Sequence, residues 1–223
     1  MPTLARRLHL GDAVVIGLGS MIGAGVFAVF APAAAAAGGG LLVGLALAAF
    51  VAFANATSSA QLAARYPTSG GTYVYGREEL GPWWGFLAGW GFVIGKTASC
   101  AAMALTFAAY VVPDGPWQRP LAAAAVVALA AVNYHGVTRT AGLARVIVTV
   151  VLVVLAAVVV ANLVSSGAAG WASVGTAAAS PYGVLQSAGL MFFAFAGYAR
   201  IATMGEEVVE PERTIPRAIV AAL

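Results

Sequence analysis

Gly17-Leu18-Gly19-Ser20-Met21-Ile22-Gly23-Ala24-Gly25, followed by Val26 and Phe27, lies in the middle of the first apolar segment of the chain. Four glycines in nine residues disfavour a continuous helix, since each costs about 1 kcal/mol relative to alanine. Only glycine lets the backbone turn freely or lets another group approach it closely. The stretch fits a membrane helix broken at mid-depth. Such a break bares N–H and C=O groups that hydrocarbon leaves unsatisfied. A small zwitterion meets both needs, its carboxylate toward the free amides and its ammonium toward the free carbonyls. Equally, Gly19 and Gly23 fit a small-xxx-small face that packs on a neighbouring helix, and the stretch by itself is compatible with both. A dinucleotide phosphate loop is excluded, because the spacing is Gly-x-Gly-x-x-x-Gly and no polar βαβ unit surrounds it.

The rest of the composition agrees with a membrane location. Of 223 residues, 61% are hydrophobic and 9% charged, with a mean hydropathy of +0.92, whereas soluble domains carry about 25% charged residues. The chain therefore reads as an all-α integral membrane protein in contact with the lipid bilayer. The net charge of +3 is scattered between apolar spans and does not point to nucleic acid. Cys100 is the only cysteine, so no intrachain disulfide forms. Arg6, Arg7 and the Ala33–Ala37 run imitate a secretory signal, but the apolar run is too long for one. It is taken as an uncleaved first crossing.

With about 20 residues per crossing as the ruler, one membrane domain over residues 1–223 holds six spans, at 12–37, 41–64, 83–112, 120–134, 141–164 and 182–204. The first is long enough for two half-helices around an unwound centre. Arg6, Arg7, Arg65, Arg77, Arg139, Arg145, Arg213 and Arg217 fall on one side and Arg119 on the other. This asymmetry places the N-terminus in the cytoplasm, and the protein as a multi-pass component of a bacterial inner membrane.

Few residues carry chemistry. Lys96, the only lysine, sits in the middle of the third span, where an unpaired cation costs roughly 2.5–3.5 kcal/mol. It is a coupling candidate, a substrate contact, or a structural partner of backbone carbonyls. The sixth span reads Phe192-Phe193-Ala194-Phe195-Ala196-Gly197-Tyr198. Gly197 can interrupt it as the first span is interrupted, with Phe193 and Phe195 walling a site, or the aromatics can simply face lipid. Arg65–Tyr73 reads as a shaped loop packed under the bundle, and Glu206 and Glu207 as a solvated charge cluster. His9 and His135 are too isolated for a metal site. No nucleophile–base set is present, and neither enzyme activity nor a cofactor is expected.

Taken in order, these motifs resemble bacterial amino acid permeases of the amino acid–polyamine–organocation superfamily. They are Gly19–Phe27, Tyr66-Pro67-Thr68-Ser69-Gly70-Gly71-Thr72-Tyr73-Val74-Tyr75, Asn133-Tyr134-His135-Gly136-Val137, Phe192–Tyr198, Gly205-Glu206-Glu207-Val208 and Ile215-Pro216-Arg217-Ala218-Ile219. The resemblance implies the five-plus-five inverted-repeat, leucine-transporter-type fold, with helices 1 and 6 broken around the site. It implies a substrate carboxylate near Gly23, Ala24 and Gly25, an ammonium near Ser20, Met21, Phe193 and Ala196, and Phe195 as a gate beside Gly197. It further implies secondary transport of an amino acid by alternating access, coupled to protons, with exchange as the alternative. Two departures stand out. Many proton-coupled relatives carry a lysine in the fifth span, where this chain has apolar Thr149-Val150-Val151-Leu152, which leaves Lys96 to supply the charge. Family members have about twelve spans, so the chain is expected to be an N-terminal part whose C-terminal half is missing, or else a truncated, non-transporting subunit or scaffold. Apolar Met21, Ala24 and Phe193 lean toward a neutral substrate.

Overall fold

A computed structural model describes residues 6, 8–134, 137–172 and 180–223. Among these the chain is helical throughout, apart from short turns and a single parallel bridge between Leu8 and Val208. His135 and Gly136, and residues 173–179 of the expected polar connection, lie outside the described residues.

The first segment is interrupted where the glycines concentrate. Helix α1 (Leu10–Met21) opens with the His9 N–H donating to Asp12 Oδ2 at 3.1 Å. It stops at Ile22, whose ψ of 84° leaves the helical region, and Gly23 is extended. Helix α2 (Ala24–Ala28) restarts the chain, and α3 (Phe30–Ala37) continues it past a second irregularity at Val29. Pro32 explains that one: it has no N–H to return to the Ala28 carbonyl four residues back. Gly38, at φ 52°, turns the chain through Gly38–Gly40 into α4 (Leu41–Arg65).

Along α4, Gly44, Ala48, Ala52, Ala56 and Ala60 recur every fourth residue and are all buried. A four-residue step keeps side chains on one face, and small ones there let other helices come close. Helices α9 (Pro181–Phe195) and α11 (Pro211–Ala222) take that place. A Cβ on Gly44 would stand 2.7 Å from Ser187 Oγ of α9. Helix α5 (Thr72–Leu80) packs on α6 (Pro82–Val111), which is followed by α7 (Gln118–Tyr134) and α8 (Val137–Ala172). At the end of α9 the winding tightens to one 3₁₀ turn, Ala196–Tyr198, before α10 (Ala199–Ala202). The sixth span is thus tightened at Gly197 rather than unwound.

Five stretches are long and apolar enough to cross a membrane: Leu10–Ala28, Phe30–Arg65, Pro82–Val111, Arg145–Ser165 and Pro181–Ala202. The expected span at 120–134 lies in α7, whose apolar part, Gln118–Val132, is shorter. Large apolar side chains on α6 and α8, Trp90, Val93, Val153 and Val159 among them, are exposed, as suits helices bathed in hydrocarbon.

The amphipathic α11 buries Ile215, Ala218, Ile219 and Ala222 against α1 and α4 and exposes Glu212 and Arg213. Around its start the polar loops interlock. Ser69 Oγ donates to Glu206 Oε1 at 2.8 Å, and a Cβ on Gly205 would stand 2.6 Å from the Thr68 backbone. The loop after α4 is therefore packed under the bundle. Glu206 is exposed, accepts from this serine, and makes no ion pair among the described residues.

Two buried hydroxyls, Tyr75 Oη and Ser187 Oγ, have no hydrogen-bond partner among the described residues. An orphaned buried hydroxyl costs about 1–3 kcal/mol, so Ser187→Ala should raise the unfolding temperature in detergent. Burial pushes the Tyr75 phenol up to about 12. Because the folded value lies above the unfolded one of about 10, the stability linked to it is present below pH 10 and lost as pH rises toward 12. Unfolding measured from pH 9 to 12 should show a decline that Tyr75→Phe reduces by about 2–3 kcal/mol.

Candidate functional site

The two interrupted segments meet at backbone distance. A Cβ on Gly25 would stand 2.5 Å from Ala194 Cα, and one on Gly197 would stand 2.5 Å from the Ser20 carbonyl carbon and overlap the Met21 backbone. Each segment thus presents a glycine to the backbone of the other, on either side of the Ile22-Gly23 break. Glycine is needed at both crossings for lack of room. The remaining glycines of the opening stretch serve packing: Gly17 faces Ile201 and Ala222, Gly19 faces Val148, and Gly23 faces Met103. The two uses of the stretch, break and packing face, therefore coexist.

The interruption leaves polar backbone groups without helical partners. The Ile22 N–H closes α1 on the Leu18 carbonyl at 2.8 Å, and the Gly23 N–H turns back to Met21 at 3.0 Å. The carbonyls of Gly19 and Ser20 have no following helical turn to meet, and the amides of Ala24 and Gly25 open a helix and have none behind them. Where α2 ends, the Phe27 carbonyl accepts from Tyr110 Oη of α6 at 3.0 Å, and the two rings sit edge to face with centroids 6.4 Å apart. At the other end of α1, Asp12 and Arg145 form an ion pair that ties it to α8.

Beside the crossing is a cavity of about 260 Å³. Ser20, Met21, Gly23 and Gly25 line it from the first segment, and Phe193, Ala196 and Gly197 from the second. Lys96 lines it from α6. Of the residues singled out in the sequence, Phe195 is elsewhere: it lines a second cavity of about 230 Å³, which shares Met21 and Gly25 as walls. Phe193 is the aromatic of its segment on the Lys96 cavity. Ala24 opens α2 between the two lining glycines.

Sequence reasoning missed the rest of the α6 wall, Phe92, Gly95, Ser99 and Met103. Their signal was present, since they fall four before, one before, three after and seven after Lys96, the spacing of one helix face. The Lys96 ammonium lies 5.7 Å from the centroid of the Phe92 ring, within cation–π range.

A family model described as amino acid permease matches residues 12–223. The chain belongs to the amino acid permease family. An uncharacterized transporter of Mycobacterium tuberculosis (strain H37Rv) is 67% identical over 221 residues, which cover 99% of this chain and 50% of that protein. A methylthioribose transporter and a branched-chain amino acid permease, both of Bacillus subtilis, are 26% and 24% identical over 99% of this chain and 52% of their own length. The chain spans about half the length of the curated relatives it matches. The family is one of transporters, not enzymes, and its members carry small organic molecules across membranes.

The glycine crossings separate two outcomes in this permease chain. Gly197→Ala sets a methyl group against backbone that cannot rotate away, and should destabilise the protein by about 1–3 kcal/mol. Gly95→Ala lines the same cavity but meets nothing within 4 Å, and should match or exceed the parent in stability. Thermal unfolding of both variants in the same detergent checks this.

Proposed function

We propose that the protein mediates secondary transport of an amino acid across the cytoplasmic membrane by alternating access. It lies in that membrane with its N-terminus inside, and its spans form the first repeat and sixth helix of a five-plus-five inverted-repeat transporter. The observation that carries this reading is the cavity beside the Gly25 and Gly197 crossings. In hydrocarbon the backbone groups bared there need a polar occupant, and a substrate that is both anion and cation suits them.

In this reading the substrate carboxylate lies toward the amides of Ala24 and Gly25. The ammonium lies toward the carbonyls of Ser20 and Met21 and those near Phe193 and Ala196. The segments holding the crossing rock against the rest of the protein, carrying the site from one face to the other. Protons are the leading energy source. Among the described residues Lys96 is the only charged one on the cavity wall, so it is the residue placed to change charge during the cycle. Exchange of one amino acid for another is the second possibility for the driving force.

Uptake of a labelled amino acid panel into proteoliposomes tests the proposal. Gly25→Leu drives a side chain into Ala194 and should abolish uptake while the protein still inserts. Undiminished uptake by this variant removes the site. Lys96→Gln should flatten the dependence of uptake on external pH. An unchanged pH profile in that variant assigns coupling elsewhere, and uptake that requires a second amino acid on the far side establishes exchange.

A further inference from the structure

We propose that the cavity selects amino acids that carry a second carboxylate, with Lys96 as the residue that decides it. This rests on the cavity being the substrate site. Three polar side chains line it: Ser20 from α1, and Lys96 and Ser99 one turn apart on α6. None of the three has a hydrogen-bond or ion-pair partner among the described residues. The Lys96 ammonium rests on the Phe92 ring, and among the described residues no aspartate or glutamate lines the wall. Arg200 of α10, a charge of the same sign, also acts on Lys96, as does the Cys100 thiol one turn along α6. The set is one cation and two hydroxyls, all free to donate.

Charge balance then favours an anion. A cation at membrane depth is tolerated when it is paired or hydrated. A neutral zwitterion brings no net charge and leaves the lysine uncompensated. A cationic amino acid makes this worse. A dicarboxylic amino acid brings a net charge of minus one, matching the lysine, and its side-chain carboxylate accepts from an ammonium and from hydroxyls with charge-assisted geometry. Backbone groups at the break remain for its α-carboxylate and α-ammonium. The apolar walls, Met21 and Phe193, bound the cavity without opposing this, since they lie against the substrate's carbon chain. The neutral substrate suggested by Met21, Ala24 and Phe193 in the sequence gives way once Lys96 stands in the same cavity.

Competition measurements with the protein in nanodiscs or proteoliposomes test the inference, with radiolabelled L-glutamate as tracer and unlabelled L-glutamate, L-aspartate, L-glutamine and L-lysine as competitors. Glutamate and glutamine differ by one charged group and little in shape. The unaltered protein should prefer glutamate over glutamine by about tenfold to a hundredfold, the range for a hydrogen-bonded charged pair. L-Lysine should not compete. Lys96→Met should bring the glutamate-to-glutamine ratio to about one or below, and Lys96→Arg should keep glutamate ahead. Equal or better competition by glutamine in the unaltered protein overturns the inference, and this needs no variant to fold. A ratio that survives Lys96→Met overturns it as well. With labelled glutamine as a second tracer the two levels separate. Binding of neutral amino acids without glutamate defeats the selectivity and leaves the transport reading standing. Binding of no amino acid defeats both.

Discussion

The close passage of two backbones at Gly25 and Gly197 is the constraint on which the rest of the arrangement depends. A methyl group at either position would overlap main chain of the opposite segment, and main chain cannot rotate out of the way. Where the segments pass at that distance, both are irregular. The first departs from helical geometry at Ile22 and Gly23, and the second tightens to a 3₁₀ turn at Ala196–Tyr198. The departures leave main-chain groups facing a cavity instead of a helix, and that is the condition under which irregular backbone is tolerated at membrane depth. The cavity lies beside this crossing, and α6 completes its wall with Lys96 and Ser99.

The surrounding helices support this crossing in different ways. On one flank α4 offers a face of small residues, from Gly44 to Ala60, against which α9 and α11 lie. On the other flank α6 presents a mixed face, with Phe92, Lys96, Ser99 and Met103 on the cavity and Tyr110 holding the carbonyl at the end of α2. The first flank is dry and close, the second roomier and polar. The unpartnered Ser187 hydroxyl on the dry flank stands out against that division.

Much of this was legible in residues alone. The break in the first span could be read because glycine has a backbone meaning that does not depend on neighbours, and Lys96 because a lone cation in an apolar span needs an explanation. The family motifs fixed the order of the elements. What could not be read were properties of pairs. Nothing in Gly17, Gly19, Gly23 and Gly25 tells which of them faces a side chain and which faces a backbone. The separation of Phe193 from Phe195 depends on how α9 is rotated as it tightens, and a two-residue offset puts side chains on different faces of a helix. The α6 wall around Lys96 was visible as a periodicity, but only a cavity on one face gives it meaning. The packing of residues 205–219 was not legible because Val208, Ile215 and Ile219, which are buried, are spaced among charges and form no continuous apolar run.

The bridge between Leu8 and Val208 has a mechanical consequence. The Leu8 amide donates to the Glu207 carbonyl at 3.0 Å, and the Val209 amide donates to the Leu8 carbonyl at 2.9 Å. This two-bond clasp joins the residues just before α1 to those that follow α10, while Gly17 of α1 faces Ile201 of α10 farther along. The start of the first interrupted segment and the stretch that follows the second are therefore tied directly to one another. The two interruptions, Ile22-Gly23 and the 3₁₀ turn, lie beyond this clasp and next to the cavity, so the tied ends and the cavity walls belong to the same two chain segments.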